Sequence, residues 1–330
     1  MSTLSPSSST PTIRVIRPGA MTLVVDLGRP GHGASGVPRG GAFDPWAARA
    51  ANRRVGNAEG EALLEITLAG PELELQGVAA IARVGDPFPI ELESASHREI
   101  CPPLRSWASA LAPRETTRIA IGRAASGVRT WLAVAGGIDV PVVLGSRTTE
   151  LAGGFGGHEG RSLRAGDRVS CFPSGARAFS PSRSEAAAAL RPPIVLRVLP
   201  GPDARLVSGE RPGPEALEGM ELRVEPRSDR RGIRLHGSAL ALSPHAPLRS
   251  QGTLPGTVQI PPAGQPIVLG VDAPVTGGYP WIAQVIEADL ELLAHLAPGD
   301  SVRFATVGYE VAERALAERR ARFEAELARE

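Results

Sequence analysis

The chain has 330 residues, of which 42% are hydrophobic, enough to build a core in each of about two domains. Its 36 basic and 35 acidic residues leave a formal charge of +1, which gives no surplus of positive charge for binding nucleic acid or an anionic membrane. All 36 basic residues are arginine, so the chain cannot form a lysine Schiff base, carry biotin on a lysine or supply the lysine of a Walker phosphate loop.

The first segment in chain order is a leader, residues 1–12, which is rich in Ser, Thr and Pro and is predicted to be disordered. It has neither the charged nor the apolar region of a secretory signal. No stretch of the chain reaches the roughly 18 apolar residues that a membrane span requires. We therefore expect a soluble, cytoplasmic protein.

From Ile13 onward, short apolar or alternating runs separated by Gly, Pro and Asp predict many short strands. These strands are expected at 23–27, 62–68, 118–121, 130–134, 168–172, 194–199, 221–224, 233–235, 257–260, 266–271 and 301–307.

Similar five-residue segments at 111–115, 163–167 and 296–300 precede three of the predicted strands. Glycine in such a turn allows a positive φ, and an aspartate can accept hydrogen bonds from the turn itself. Because the segment recurs in both halves, it suggests two related β modules.

Helices are predicted to be few. Asp44 followed by Pro45 is typical of a helix start, and the helix should continue over 46–55 until Gly and Asn end it. A second helix is expected to begin near Asp289, and the segment 309–330, rich in Ala, Glu and Arg, predicts a long C-terminal helix.

The clearest change in composition inside the chain lies at 176–193, which lacks periodic apolar residues and is predicted to separate two domains. The predicted organisation is a leader at 1–12, a first domain at 13–180, a linker at 181–193, a second domain at 194–308 and a C-terminal helix at 309–330.

Standard catalytic signatures are absent from the sequence, and no paired Cys or His residues have metal-binding spacing, so no metal site is predicted. A glycine cluster lets backbone N–H groups converge on an oxygen, and a neighbouring arginine adds a planar fork for a carboxylate. Together such segments suit a small planar acid or amide, although each one alone is also typical of a tight turn. They lie at 26–31, 36–44, 135–148, 153–161, 228–232 and 276–280.

Ten motifs, in chain order, carry a resemblance to a known family. They are D-L-G-R-P-G (26–31), G-V-P-x-G-G-A-x-D (36–44), A-N-x-x-V-G-N (51–57), L-E-I-T-L-x-G-P (64–71), L-A-V-A-G-G-I-D-V-P (132–141), V-L-G-S-R-T (143–148), G-G-x-G-G-H-E-G-R (153–161), S-D-R-x-G-x-R-L-x-G (228–237), P-G-x-x-Q-x-P-P-x-G-Q-P-I (255–267) and T-G-G-Y-P (276–280). The chain resembles the biotin-dependent carboxyltransferase family, which includes the C subunit of 5-oxoprolinase, the second subunit of allophanate hydrolase and the carboxyltransferase region of urea carboxylase. The resemblance extends from Ile13 to about Val307.

This resemblance implies a mainly β fold with two tandem cyclophilin-like β-barrels, a few short helices and a C-terminal helix. It also implies a hetero-oligomeric complex in which the chain is the C subunit and acts with the B and A subunits on a small amide. In the leading hypothesis the complex uses ATP to hydrolyse 5-oxo-L-proline to L-glutamate. ATP is assigned to the complex because this chain has no nucleotide motif.

Two alternatives remain open. In the first, the chain transfers a carboxyl group from carboxybiotin to urea or a related amide, and the biotin must be carried by another chain. In the second, the chain is a non-catalytic module that antagonises a kinase inhibitor resembling the B subunit.

The resemblance also implies candidate site residues, of which some would orient the amide and others would set the charge around it. The catalytic candidates are Asp26, Arg29, Arg230 and Tyr279, and the substrate-binding candidates are Gln259, Gln265, Thr276, Gly277, Gly278 and Arg147.

Several residues depart from the family motifs. Val25 replaces a glutamine, and near the last motif Ala273, Val275 and Trp281 replace an arginine, a threonine and a lysine. If these positions contact substrate, each lost charge-assisted contact costs about 1.5–3 kcal/mol. Trp281 is expected either to form a stacking wall for a flatter ligand or to fill core volume.

Overall fold

The chain forms two units, which this computed structural model describes over residues 10–174, 182–184, 193–208, 213–244 and 248–328. The first unit comprises Met1–Gly28 and Ala47–Ala187, and the second comprises Arg29–Trp46 and Ala188–Glu330. The second unit therefore includes a segment that precedes most of the first. Most of the predicted leader (1–9) and of the predicted linker (181 and 185–192) lies outside the described residues. The domain boundaries stay predictions.

The described strands of the first unit form one antiparallel sheet that curls into a nearly closed barrel. Its strands are β1 (Thr12–Arg17), β2 (Met21–Val25), β3 (Leu63–Thr67), β4 (Glu72–Gln76), β5 (Ala80–Glu93), β6 (Arg98–Ala110), β7 (Thr117–Ile121), β8 (Arg129–Val134), β9 (Ile138–Asp139), β10 (Arg168–Cys171) and β11 (Ser182–Ser184). The order across the sheet is β2-β3-β8-β5-β7-β4-β1-β10-β9, and β6 pairs with β5 and with β11.

The interior of the first unit contains a row of opposed residues, Val24, Leu64, Leu132 and Arg83, on four neighbouring strands. Arg83 is fully buried, and its guanidinium donates to the backbone oxygens of residues 86 and 104 and to the hydroxyl of Thr130. Burial lowers the pKa of Arg83 to about 10, so the group remains charged at neutral pH. Its three acceptors offset the cost of burying that charge.

The described strands of the second unit form a closed barrel in the order β12-β19-β16-β17-β14-β13-β20, and β20 closes it by pairing in parallel with β12. A two-stranded ribbon of β15 and β18 lies outside this barrel order. The strands are β12 (Ile194–Pro200), β13 (Leu222–Val224), β14 (Gly232–His236), β15 (Gln251–Gly252), β16 (Thr257–Gln259), β17 (Ile267–Leu269), β18 (Thr276–Gly277), β19 (Trp281–Val285) and β20 (Ser301–Thr306).

Three α-helices occur among the described residues: α1 (Pro45–Arg54), α2 (Leu290–Leu293) and α3 (Tyr309–Ala328). Asp44 caps α1 as predicted, accepting a hydrogen bond of 2.8 Å from the backbone N–H of Trp46. On α3, Phe323 is buried and packs on Trp46, with ring centroids 5.1 Å apart. This confirms the predicted mainly β architecture with two barrels, few helices and a C-terminal helix. No described helix combines the length and the apolar character needed to cross a lipid bilayer.

Two of the three similar turns predicted from the sequence have the same geometry in the two units. Gly166 and Gly299 both have φ of 91°. The next residue, Asp167 or Asp300, accepts a backbone hydrogen bond of 2.7 Å through its carboxylate, from Arg164 or Ala297 respectively. The positive φ explains why glycine occupies this position in both turns.

Asp167 differs from Asp300 because it also accepts two hydrogen bonds from Arg161, of 2.7 and 3.0 Å. The Arg161 guanidinium, with the backbone N–H of Arg164 in a smaller part, lowers the pKa of Asp167 to about 2. The folded state therefore favours the carboxylate, and the resulting stability is present above about pH 4 and is lost as the pH falls towards 2.

We expect Asp167→Asn to lower the free energy of unfolding by about 1 kcal/mol at pH 7, because the variant loses a charge-assisted pair whose arginine is partly exposed. Urea denaturation of the two proteins at successive pH values should show their difference shrinking between pH 4 and 2. Asp300→Asn is the matched control, since its amide oxygen still accepts from Ala297 and no described arginine pairs with it. Equal losses in the two variants would contradict the role of Arg161.

Candidate functional site

A row of side chains crosses three neighbouring strands of the second barrel. Arg234 on β14 lies opposite Ile267 on β17, which lies opposite Gln259 on β16. The residues one position away, including Ile233 and Val258, are buried. Since successive side chains of a strand point to opposite faces, the Arg234–Ile267–Gln259 row lies on the outer face of the barrel.

This row forms part of a cleft of about 390 Å³, which we call the Gln259 cleft. The ribbon of β15 and β18 contributes the other wall through Thr276 and Gly277, and Gly278 and Tyr279 follow directly. Five of the ten predicted site residues therefore meet in one place. The lining residues are Asp229, Arg231, Gly232, Arg234, Thr253, Gln259, Ile267, Leu269, Pro274, Thr276, Gly277, Gly278 and Tyr279.

Gln259 carries an unused hydrogen-bond donor in this cleft. The side chain is only 6% exposed, and within the described part of the chain its Nε2 has no hydrogen-bond partner. Leaving a buried amide N–H unpaired costs about 1–3 kcal/mol, so this position is energetically suited to a ligand oxygen.

Gly277 keeps the space beside this amide open. A Cβ atom at position 277 would lie 2.7 Å from Nε2 of Gln259. An alanine here would displace the Gln259 amide, and the backbone φ of Gly277 is not in the left-handed region.

Two arginines of the cleft, Arg231 and Arg234, were not among the predicted site residues. Both are exposed, and no described residue pairs with either guanidinium. Arg231 lies in a turn that Asp229 holds by accepting backbone hydrogen bonds of 2.8 Å from Arg231 and 3.2 Å from Gly232. The alternation of buried Ile233 and Leu235 in the predicted strand is the signal that would have placed Arg234 outside the barrel.

Arg230 does not line the cleft, although it was predicted as a catalytic residue. It is 2% exposed and forms a bidentate pair with Asp272, at 2.6 and 3.1 Å. It also donates a 2.7 Å hydrogen bond to the backbone oxygen of Gly41. With its guanidinium used in this way, Arg230 is placed to hold two loop segments of the second unit together.

Asp26 and Arg147 are brought together in the first unit. The Asp26 carboxylate accepts hydrogen bonds of 2.8 Å from the N–H of Gly28, 2.6 Å from the hydroxyl of Ser146 and 2.6 Å from the N–H of Arg147. The Arg147 guanidinium lies over the Phe172 ring, 5.1 Å from its centroid. Asp26 therefore fixes the backbone of the V-L-G-S-R-T motif.

Gln265 and Arg29 also lie outside the Gln259 cleft. Both ends of the Gln265 amide pair with the backbone of Gly237, each at 3.0 Å, so the geometry does not favour a substrate role. Arg29 is 1% exposed and lines a second cleft of about 480 Å³ in the same unit. The two clefts share Thr253, Pro274 and Thr276 as lining residues.

The residues that depart from the family motifs have separate positions. Val25 is fully buried in β2, and Val275 lines the Arg29 cleft. Trp281 is not among the lining residues of either cleft, and its Nε1 donates to the backbone oxygen of Ala283 at 2.9 Å. A stacking wall formed by Trp281 is therefore not seen at the described clefts.

Comparison with known proteins identifies relatives along almost the whole chain. The carboxyltransferase domain family, subdomain A and B, matches residues 35–306. The C subunit of 5-oxoprolinase from Escherichia coli K12 is 37% identical over 313 residues, covering 94% of this chain and 96% of the relative. The urea amidolyase of Lachancea kluyveri is 32% identical across 90% of this chain, which spans 17% of that protein.

Among solved structures, the urea carboxylase of Kluyveromyces lactis superimposes with a TM-score of 0.83 at 27% identity. The match covers 96% of this chain and only 29% of the urea carboxylase chain.

We expect Asp26→Asn to lower the free energy of unfolding by about 1–3 kcal/mol, because the new amide N–H₂ faces the N–H of Arg147 and cannot accept from it. Urea denaturation at pH 7 measures this loss. Asp229→Asn is the matched control. One oxygen of Asp229 accepts both backbone hydrogen bonds, from Arg231 and Gly232, and the asparagine keeps an amide oxygen that can accept them. If Asp26→Asn leaves the free energy of unfolding unchanged, the Asp26 contacts make no net contribution to stability.

Proposed function

Because the chain belongs to the carboxyltransferase domain family with subdomains A and B, we propose that it is the C subunit of an ATP-dependent complex that hydrolyses 5-oxo-L-proline to L-glutamate together with the A and B subunits. The observation that carries this proposal is the match with the C subunit of 5-oxoprolinase from Escherichia coli K12, which covers 96% of that relative's length. In the urea amidolyase the corresponding region is 17% of a much longer protein. The chain thus corresponds to nearly all of one relative and to a small part of the other.

In this proposal the Gln259 cleft binds the amide. Nε2 of Gln259 donates to the amide oxygen of the substrate, and Gly277 and Gly278 let the ring approach the backbone of the ribbon. Tyr279, which is 47% exposed, and Thr276 supply hydroxyl groups at the edge of the cleft. A donor directed at the amide oxygen also stabilises the negative charge that develops when water adds to the carbonyl carbon.

Asp26, Arg230 and Gln265 are then positioning residues, because their side chains bind backbone groups of neighbouring segments. Arg147 is held by its backbone N–H, which donates to Asp26, and by the Phe172 ring under its guanidinium. Asp26 and Arg230 each use a buried charge to fix a loop backbone. Arg29 is proposed to set the charge of the second cleft, which adjoins the Gln259 cleft through their shared wall.

ATP is proposed to bind to the partner subunits, since this chain has no lysine and no phosphate loop. Its hydrolysis supplies the free energy that drives opening of the lactam, in which water adds to the carbonyl carbon, the C–N bond breaks and the amine takes up a proton.

A second candidate function is carboxyl transfer to urea or a related amide, favoured by the TM-score of 0.83 with urea carboxylase. Biotin, which that reaction requires, would have to be attached to another chain because this one lacks lysine. Avidin blotting of partners that copurify with this chain separates the two candidates: a biotinylated companion favours carboxyl transfer.

Reconstitution of the chain with the A and B subunits is expected to give glutamate from 5-oxo-L-proline only when ATP and all three chains are present. Glutamate release and ADP formation are measured together, and omission of this chain is the control. A folded, assembled complex that releases no glutamate would contradict the proposal.

Within that complex, Gly277→Ala is expected to lower kcat/KM for 5-oxo-L-proline by about 10-fold or more, because the new methyl group displaces the Gln259 amide from its donor position. The displaced atom is the end of a flexible side chain, so the fold should survive, which thermal unfolding checks. Gly219→Ala is the control, since a Cβ at Gly219 meets nothing within 4 Å and the residue is outside both clefts. Equal activity of the two variants would contradict a contact between the Gln259 amide and the substrate.

A further inference from the structure

The charged residues of the Gln259 cleft are unevenly distributed. Arg231 and Arg234 bring two guanidinium groups, and the carboxylate of Asp229 is the acidic group among the described lining residues. That carboxylate already accepts two backbone hydrogen bonds within its own turn. The cleft therefore retains a surplus of positive charge.

The two arginines and the unpaired amide lie at different places along the cleft wall. Arg234 and Gln259 are separated by the single residue Ile267 across three strands, which places their backbones about 9.5 Å apart, or two strand spacings. The long arginine side chains shorten the gap that a ligand has to bridge. Ile267, which is half-buried, gives the wall between them an apolar surface.

We propose that Arg231 and Arg234 bind a carboxylate that the substrate carries next to its amide, so that the cleft selects anionic amides over neutral ones. This inference rests on the proposed function, in which Gln259 binds the amide oxygen. A guanidinium offers two parallel N–H groups that match the two oxygens of a carboxylate, and such charge-assisted bonds are about twice as strong as neutral ones. Urea has no carboxylate and leaves both arginines without a ligand partner.

The selectivity follows from the different binding free energies of an anionic and a neutral lactam in this cleft. An anionic lactam replaces the water around the guanidiniums by a fixed carboxylate, whereas a neutral lactam of the same ring size gains only the Gln259 contact and the apolar wall. Loss of one charge-assisted contact weakens binding by about 10- to 150-fold.

The test compares two ligands of equal ring size on the assembled complex: 5-oxo-L-proline and 2-pyrrolidinone, which lacks the carboxylate. Affinities are measured by titration calorimetry or by competition in ligand-observed NMR, and KM is measured for 5-oxo-L-proline at saturating ATP. We expect Arg231→Gln and Arg234→Gln each to raise Kd and KM for 5-oxo-L-proline by about 10-fold or more. Binding of 2-pyrrolidinone should be weak and unchanged.

Arg227→Gln is the matched control, because Arg227 is an exposed arginine of the same segment that pairs with Glu225 at 3.2 Å and does not line the cleft. Arg234→Lys, which keeps the charge and loses the fork, should give an intermediate Kd. Thermal unfolding and size-exclusion chromatography check that each variant folds and assembles.

Each outcome supports or overturns the inference. A loss of affinity for both lactams alike, or for neither, overturns it, and so does a loss of complex assembly in the arginine variants, which would make these residues partner contacts. Turnover that is unaffected by the arginine variants leaves the proposed function standing without the inference. Carboxylate-dependent binding without any glutamate release supports the inference and contradicts the proposed function.

Discussion

The alternation of side chains around the closed second barrel is the constraint on which the candidate site depends. Once β12 and β20 pair and close the ring, each strand position is committed to the interior or to the outer face. A shift of β16 by one residue would bury the Gln259 amide in the apolar interior and expose Val258. The same commitment places Arg234 and Gln259 on one surface, although 25 positions of sequence separate them. The strand register therefore decides which side chains meet in the candidate site.

Several buried charges of the described residues are used for contacts within the protein, whereas two exposed guanidiniums of the Gln259 cleft have no described partner. Arg83 and Asp26 each bind two backbone groups, and Arg230 binds one backbone oxygen and the Asp272 carboxylate, which offsets the cost of removing a charge from water. The guanidiniums of Arg231 and Arg234 make no hydrogen bond or ion pair with the described residues. The presence of arginine or aspartate in a glycine-rich motif therefore does not by itself show whether its charge is already paired within the protein.

The sequence predicted the mainly β fold, the cap of the first helix by Asp44 and the C-terminal helix, because each depends on local chemistry. It did not predict β5 and β6, the two longest of the described strands. Pro87 and Pro89 interrupt the apolar pattern of β5, and the structure accommodates them where the register between the two strands shifts, around Phe88. The predicted second helix is a single turn, Leu290–Leu293, of which Leu293 is buried.

For the candidate site, the segment 276–279, which begins in the ribbon, and the amide of Gln259 were predictable from motif resemblance, and they meet in one cleft. The sequence does not reveal that Arg231 and Arg234, and not Arg230, line this cleft, because three arginines stand within five positions and the strand pairing places Arg234 on the outer face. Gln265 is a predicted substrate-binding residue, and its pairing with Gly237 depends on a tertiary contact that no local pattern reveals.

The repeated turn of the two units has a consequence for engineering. The segments Leu-Arg-Ala-Gly-Asp and Leu-Ala-Pro-Gly-Asp share the φ of their glycine and the hydrogen bond that the aspartate carboxylate accepts. They are similar turns whose sequences differ at the second and third residues. Because this φ and this hydrogen bond recur in two different surroundings, they depend mainly on residues of the turn itself, although Asp167 is also stabilised by Arg161 from outside it. The two segments are therefore the natural pair to exchange between the halves of this protein when the design of such turns is studied.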